Sequence, residues 1–303
     1  MEDDVAERFE EGQLPEERGT GREPTEEELA RIEGRIKRLS FTDNFVFGEV
    51  LEGDLDLCKD VLETVLGIQV DRVELATREK TFEPARDSRA VRLDVYAKDN
   101  DGRSFDVEMQ RTNAKDLALR ARYYQGAMDV AEVGKGCDYQ RLNEVYVIFF
   151  CTFDPFGHGQ KCYSCSFTCD QDAEIDLGYR AKHMFLNATG TLGTVSKELQ
   201  SLLDYMAGDN ETDSELVRRK RAAVGRVLSS PEKIRRYAMY QWTLDDERRA
   251  GREEGRAEGR AEAQEKMTRL IRVLAERGRL DELPAAAQDA AKLQALYEEF
   301  GIE

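Results

Sequence analysis

The chain has 303 residues, 40% hydrophobic and 35% charged, with a formal net charge of −17. That is apolar material for one large domain or two small ones, and it excludes a wholly disordered chain. Apolar runs such as "VYVIFFCTF" (145–153) reach about half the ~20 residues needed to cross a bilayer, so neither a transmembrane helix nor a membrane partner is expected.

Residues 1–27 read as a disordered acidic tail, poor in aromatics and rich in Glu, Gly and Pro. Residues 1–30 hold twelve Asp/Glu against three Arg, so the other 273 residues carry a net charge of only −8. With the acidity concentrated there, net charge does not exclude a nucleic-acid partner. The tail has neither a basic n-region nor an apolar h-region, so a secretory signal is not expected. The six cysteines are then expected as free thiols in a reducing, cytoplasmic setting.

A helix is expected from about Thr25, where Glu27 and Glu28 suit its positive end. A second helical pattern, Leu55, Val61, Leu62, Val65 and Leu66, stops at Gly67, a natural C′ residue. "IQVDRVELA" (68–76) alternates as a first strand. "AVRLDVYAK" (90–98) places Val91, Leu93, Val95 and Ala97 on one face and Arg92, Asp94 and Tyr96 on the other. "DNDG" (99–102) is a turn signal. "RSFDVEMQR" (103–111) alternates again, Phe105, Val107 and Met109 against Asp106, Glu108 and Gln110. The two runs form a hairpin with one apolar and one polar face.

Residues 114–133 carry an amphipathic helical pattern, and "EVYVIFFCTF" (144–153) reads as a buried central strand. Shorter strands are expected in 161–169 and 183–189, and helices from about 194 onward. A crossover helix leading to a buried strand implies a mixed sheet with a parallel component. The fold class is therefore α/β, and the expected divisions are a core at 28–190, a helical extension at 191–244, and a charged helical segment at 245–303. In that segment "GREEGRAEGRAE" (251–262) sets Gly251, Gly255 and Gly259 on one helical stripe. Each Gly costs about 1 kcal/mol of helix stability against Ala. The repeat fits either a solvated spacer helix or close helix–helix contact, the latter as a possible homodimer.

With the hairpin loop at Asn100–Gly102, residues whose numbers sum to 202 face each other, and Asp94 lies opposite Glu108. Directly opposed Cβ atoms sit about 5 Å apart. Such a pair either lies on an open, solvated face or holds a hard divalent cation such as Mg²⁺. Gln110 is one step further along the same face.

Several segments together resemble the PD-(D/E)xK nuclease superfamily, and within it the recombination-promoting nuclease / putative transposase family. They are "LSFTDNFVFGEVL" (39–51), "VRLDVYAKDNDGRSFDVEMQR" (91–111), "LRARYYQGAMD" (119–129), "VYVIFFCTFDPFG" (145–157) and "FLNATG" (185–190). The "GRAEGRAE" helix is similar to the C-terminal tails of such proteins. The resemblance implies a restriction-endonuclease-like core, a mixed central sheet flanked by helices, and Mg²⁺- or Mn²⁺-dependent cleavage of DNA. It makes Asp94 the "D" and Glu108 the "(D/E)", and Gln110 stands where the "K" would be. Asp43 matches an upstream acidic position. Asp94, Glu108 and the backbone carbonyl of Met109 are then the expected metal ligands, and Arg120, Arg122 and Tyr124 on the next helix are either DNA contacts or core packing and surface charge. Leu93 replaces the motif's Pro, which ligates nothing. Gln110 offers a dipole where lysine offers a charge, although this family's pattern carries Gln there.

Other constellations carry less. His158, Cys162, Cys165 and Cys169 give H-x3-C-x2-C-x3-C, but on one strand these cysteines do not converge on a zinc ion. His183 reads as structural, and no P-loop is present. The basic run "RRKR" (218–221), with Arg226, Lys233, Arg235 and Arg236, either lies along a phosphate backbone or forms a solvated face. The leading expectation is a metal-dependent DNA endonuclease acting in recombination or transposition. Its rivals are a non-catalytic DNA-binding or assembly protein that keeps the fold, and an acidic regulatory protein built around its C-terminal helix.

Overall fold

The computed structural model describes residues 22–36, 38–82, 91–133, 138–209 and 211–302. Residues 1–21, most of the expected acidic tail, lie outside them. The chain divides into two compact units, one built on Pro24–Gln241 and the other on Trp242–Glu303.

The first unit opens with three helices: α1 (Glu26–Ile36), α2 (Asn44–Glu52) and α3 (Leu55–Leu66). Thr25 and Glu28 cap α1 reciprocally: Glu28 N–H donates to Thr25 Oγ1, and Thr25 N–H to the Glu28 carboxylate. Gly67 ends α3 in the left-handed region, φ 66°. Helix α2 is absent from the predicted elements. Phe45 through Leu51 are all buried, so no polar face betrays a helical period.

Six strands follow: β1 (Val73–Phe82), β2 (Val91–Asp99), β3 (Ser104–Gln110), β4 (Val145–Cys151), β5 (Cys162–Ser166) and β6 (Ala181–Asn187). They form one sheet in the order β1-β2-β3-β4-β6-β5. The first three strands are antiparallel, β3 pairs parallel with β4 and β4 parallel with β6, and β5 closes antiparallel on β6. This is the mixed sheet expected from a crossover helix, here α4 (Leu117–Glu132) between β3 and β4.

The first strand differs from expectation. It begins at Val73 and runs on through the charged Thr77–Lys80, whereas 68–76 was the predicted stretch. Residues 71–72 are tied to the hairpin loop instead: Arg72 N–H donates to the Asn100 side-chain oxygen, and Asn100 N–H to the Arg72 carbonyl, both at 3.1 Å. An edge strand tolerates charges that a central strand would exclude.

Helix α2 covers one face of the sheet, with the Phe47 and Phe150 rings 5.6 Å apart. Helix α4 covers the other. Fully burying a side chain such as Phe47, Phe149, Phe150 or Phe185 contributes about 1.5–3 kcal/mol. Three further helices follow: α5 (Lys197–Met206), α6 (Glu215–Ser229) and α7 (Pro231–Glu276). Helix α6 packs on α2 and α3.

The basic run lies on α6, and Arg218 and Arg219 are paired with acids of the chain. Lys220 is fully buried, its ammonium 4.3 Å above the Phe41 ring centre with no hydrogen-bond acceptor. Arg219 pairs with Asp60 and Asp54, and Arg226 with Asp54. Arg218 pairs with Asp213 and Glu215. Lys233 and Arg236 reach the buried Glu49, and Arg235 reaches Glu26. Apart from Lys220, this is the solvated face that the sequence allowed: Arg218 and Arg226 are 54% and 63% exposed, and their charges are paired with acids of the chain.

The second unit has its own core of Leu270, Leu274, Ala286 and Leu296, closed by short helices α8 (Leu283–Ala287) and α9 (Ala290–Glu299). Gly278, at φ 70°, turns the chain back after α7. Among the described residues no helix is long and apolar enough to cross a membrane.

Candidate active site

The hairpin sets the geometry. Gly102 takes φ 83° in its loop, a conformation that favours glycine. Val95 pairs with Val107, Tyr96 with Asp106 and Ala97 with Phe105. The paired register ends there, and the next two residues, Asp94 and Glu108, meet through side chain and backbone. The two carboxylates are locked crosswise: Asp94 N–H donates to Glu108 Oε1 at 2.8 Å, and Met109 N–H donates to Asp94 Oδ2 at 3.0 Å.

The polar face is not an open one. It lies on the α4 side of the sheet, where Asp106 is fully buried and Glu108 is 2% exposed. Asp94 is partly exposed. Burial, then the neighbouring Glu108 carboxylate, push the Asp94 pKa well above the usual range. Burial also raises Glu108, against the pull of Arg120 and the Asp94 amide. Asp106 is likewise raised well above the usual range, by burial and by Glu108. Neither Asp106 oxygen receives a hydrogen bond. Sequence reasoning placed Asp106 on this face but passed over it. The signal was its position two residues before Glu108, on the same side of the strand.

Arg120, on α4, occupies the centre of the site. Its guanidinium lies 3.4 Å from Glu108 Oε2 and donates to the Tyr124 hydroxyl at 2.9 and 3.1 Å. With its amide oriented to accept, Gln110 takes two more hydrogen bonds from Arg120, at 3.2 and 3.3 Å. The Tyr124 and Phe149 rings sit 5.4 and 5.5 Å from the guanidinium carbon. Glu108, Gln110, Arg120 and Tyr124 are thus brought together, and Arg120 faces inward. Arg92, also missed, lies two residues before Asp94 and donates to the Tyr240 hydroxyl at 3.1 Å. Its charge lowers the pKa of both Asp94 and Glu108 against the larger effect of burial.

The other expected residues stand apart. Asp43 is the N-cap of α2, accepting from Phe45 N–H at 3.1 Å, and pairs with Arg111 at 3.5 Å. That pair ties it to the end of β3. Arg122 is exposed. His183 is structural: it hydrogen-bonds Gln125 of α4 at 2.8 Å, and burial lowers its pKa. Cys165 pairs in register with His183, while Cys169 lies beyond β5 and donates to Gln171.

The donors at the hairpin are all oxygens, and two like-charged carboxylates are held facing each other. That set fits a hard divalent cation. Among the described residues no three Asp, Glu, His or Cys side chains converge on one point. Asp94 and Glu108 would therefore need the Met109 carbonyl and water to complete a coordination shell.

A mixed sheet flanked by helices, with opposed carboxylates on its central hairpin, has the α/β architecture of the PD-(D/E)XK nucleases. The family model for PD-(D/E)XK nuclease family transposases matches residues 41–239, about two thirds of the chain. The chain belongs to that family. No curated protein and no solved structure matches it.

Proposed function

We propose that this protein is a divalent-metal-dependent DNA endonuclease, cleaving phosphodiester bonds in the course of recombination or transposition. The observation that carries this reading is the crosswise lock of Asp94 and Glu108, which holds two repelling carboxylates face to face beneath a helix. A fold keeps such a conflict where a cation resolves it.

Asp94, Glu108 and the Met109 carbonyl would hold Mg²⁺ or Mn²⁺. Such an ion lowers the pKa of bound water and polarises a phosphate oxygen. The backbone amides of Asp94 and Met109 fix the carboxylates. Gln110 offers an amide at the edge of the site to orient a water. Tyr124 fixes Arg120, and Arg122 on the outer side of α4 is available to a phosphate. Purified protein incubated with supercoiled plasmid should nick it in Mg²⁺ and leave it intact in chelator. Equal cleavage in both would contradict the reading.

The same reading has two copies act together through the glycine stripe of α7. A Cβ added at Gly255 or Gly259 would meet nothing within 4 Å, which leaves room for a second helix. Gly255→Leu with Gly259→Leu should raise helix propensity yet convert a dimer to a monomer by light scattering. A wild-type monomer at micromolar concentration would remove the pairing.

A further inference from the structure

The motif's missing lysine leaves this site without a cation on β3, and the structure assigns that role to Arg120 on α4, acting through Gln110 and Glu108. The inference deepens the nuclease reading and rests on it. Three observations carry it. The guanidinium touches both residues at the motif's second and third positions: Glu108 at 3.4 Å, and Gln110 at 3.2 and 3.3 Å. It is only 15% exposed, so its charge acts at short range in a low-dielectric setting rather than being screened. It is also fixed from behind, by two hydrogen bonds to the Tyr124 hydroxyl and by the Phe149 ring below.

A lysine at 110 would be a mobile point charge. Arg120 and Gln110 share that lysine's role between them. The planar guanidinium carries the charge, and the amide is the part that faces the reacting phosphate. Arg120 is therefore a positioning residue rather than a grip on the DNA backbone. The two roles predict different kinetics. A backbone contact, when lost, weakens DNA binding and raises KM. A positioning cation, when lost, lowers kcat at constant KM.

The test compares wild type, Arg120→Met, and Arg120→Met with Gln110→Lys, by plasmid cleavage in Mg²⁺ and by calorimetric titration with Mn²⁺ alone. Arg120→Met should lower kcat by about 100-fold with KM unchanged. It should bind Mn²⁺ about five-fold or more tighter, because a repelling charge beside Glu108 is gone. Adding Gln110→Lys should return both quantities toward wild type, since it restores a cation at the motif's third position. A rise in KM at constant kcat, or failure of Gln110→Lys to restore either quantity, would overturn the assignment. Should wild type itself fail to cleave, the nuclease reading falls. The Mn²⁺ titration then decides Arg120 by itself, and unchanged or weakened affinity in Arg120→Met overturns its role. If Arg120→Met melts below the assay temperature, Arg120→Lys takes its place. That variant should keep Mn²⁺ affinity within about twofold and lose about tenfold in kcat; full activity would overturn the role.

Discussion

Glu49 and Glu108 are both nearly solvent-free carboxylates, 3% and 2% exposed, yet they sit in opposite company. Glu49, on α2, is met by Arg78, Lys233 and Arg236. Glu108, on β3, has Asp94 across the ladder and Asp106 two residues away, with Arg120 the guanidinium in contact. Three cations surround the first carboxylate, and three carboxyls share the second site. The Glu49 cluster satisfies itself and holds helices together. The Glu108 cluster is stable only because backbone amides and Arg120 restrain it, and it gains from a further cation. Burial alone therefore does not mark a functional carboxylate; a deficit of local positive charge does.

The largest expected effect tests the acidic cluster. Asp94→Asn keeps an acceptor for Met109 N–H but removes a charge. Cleavage should fall by on the order of 1000-fold, with a melting temperature equal to or above wild type, because one repelling carboxylate is gone. Wild-type cleavage by this variant would show that the cluster is not the reacting centre.

The Glu49 cluster should respond in the opposite way. Glu49→Gln leaves three cations without their shared partner and should cost about 2–4 kcal/mol in denaturant unfolding. The cleavage rate of the folded protein should not change. A loss below about 0.5 kcal/mol would mean that the cluster does not hold the helices.

Lys220 extends the comparison to a buried cation without any acid in contact. Burial depresses its pKa well below 10.5. Between that depressed value and 10.5 the unfolded chain binds more protons than the folded one, so stability falls as pH falls through this window. Lys220→Met should therefore stabilise the protein at neutral pH by about 1–3 kcal/mol, and the gain should shrink as pH approaches 10.5. Melting curves at pH 7 and pH 10 decide it; a gain independent of pH would mean that packing, not charge, is the cause.

The smallest effect is expected at Gln110 with Arg120 intact. Gln110→Lys should alter cleavage by no more than about tenfold, because a cation already serves the site. Complete inactivity at normal Mn²⁺ affinity would count against an orienting role for Gln110.

Much of this site was legible because it is local. The "DNDG" turn and the two alternating strands carry the expected register as far as Val95 and Val107, one residue short of Asp94 and Glu108, and Gly67 marks the end of α3. What sequence could not give depends on partners far along the chain. The polar face of the hairpin is buried because α4 folds over it, and periodicity within β3 cannot report that. Nor could the sequence give Asp43's partners: its carboxylate caps α2 and pairs with Arg111, the residue after Gln110. The run at 218–221 left a phosphate contact and a solvated face both open, because the partners of Arg219, Asp54 and Asp60, lie about 160 residues earlier. A charge pattern shows which charges exist, and only the fold shows which of them are already paired.

The central claim is that the Asp94–Glu108 pair holds a divalent cation. Calorimetric titration of wild type and Asp94→Asn with Mn²⁺ tests it without reference to any substrate. Wild type should take up Mn²⁺ at the hairpin, and Asp94→Asn should lose that binding while remaining folded. Equal Mn²⁺ binding by the two proteins would contradict it.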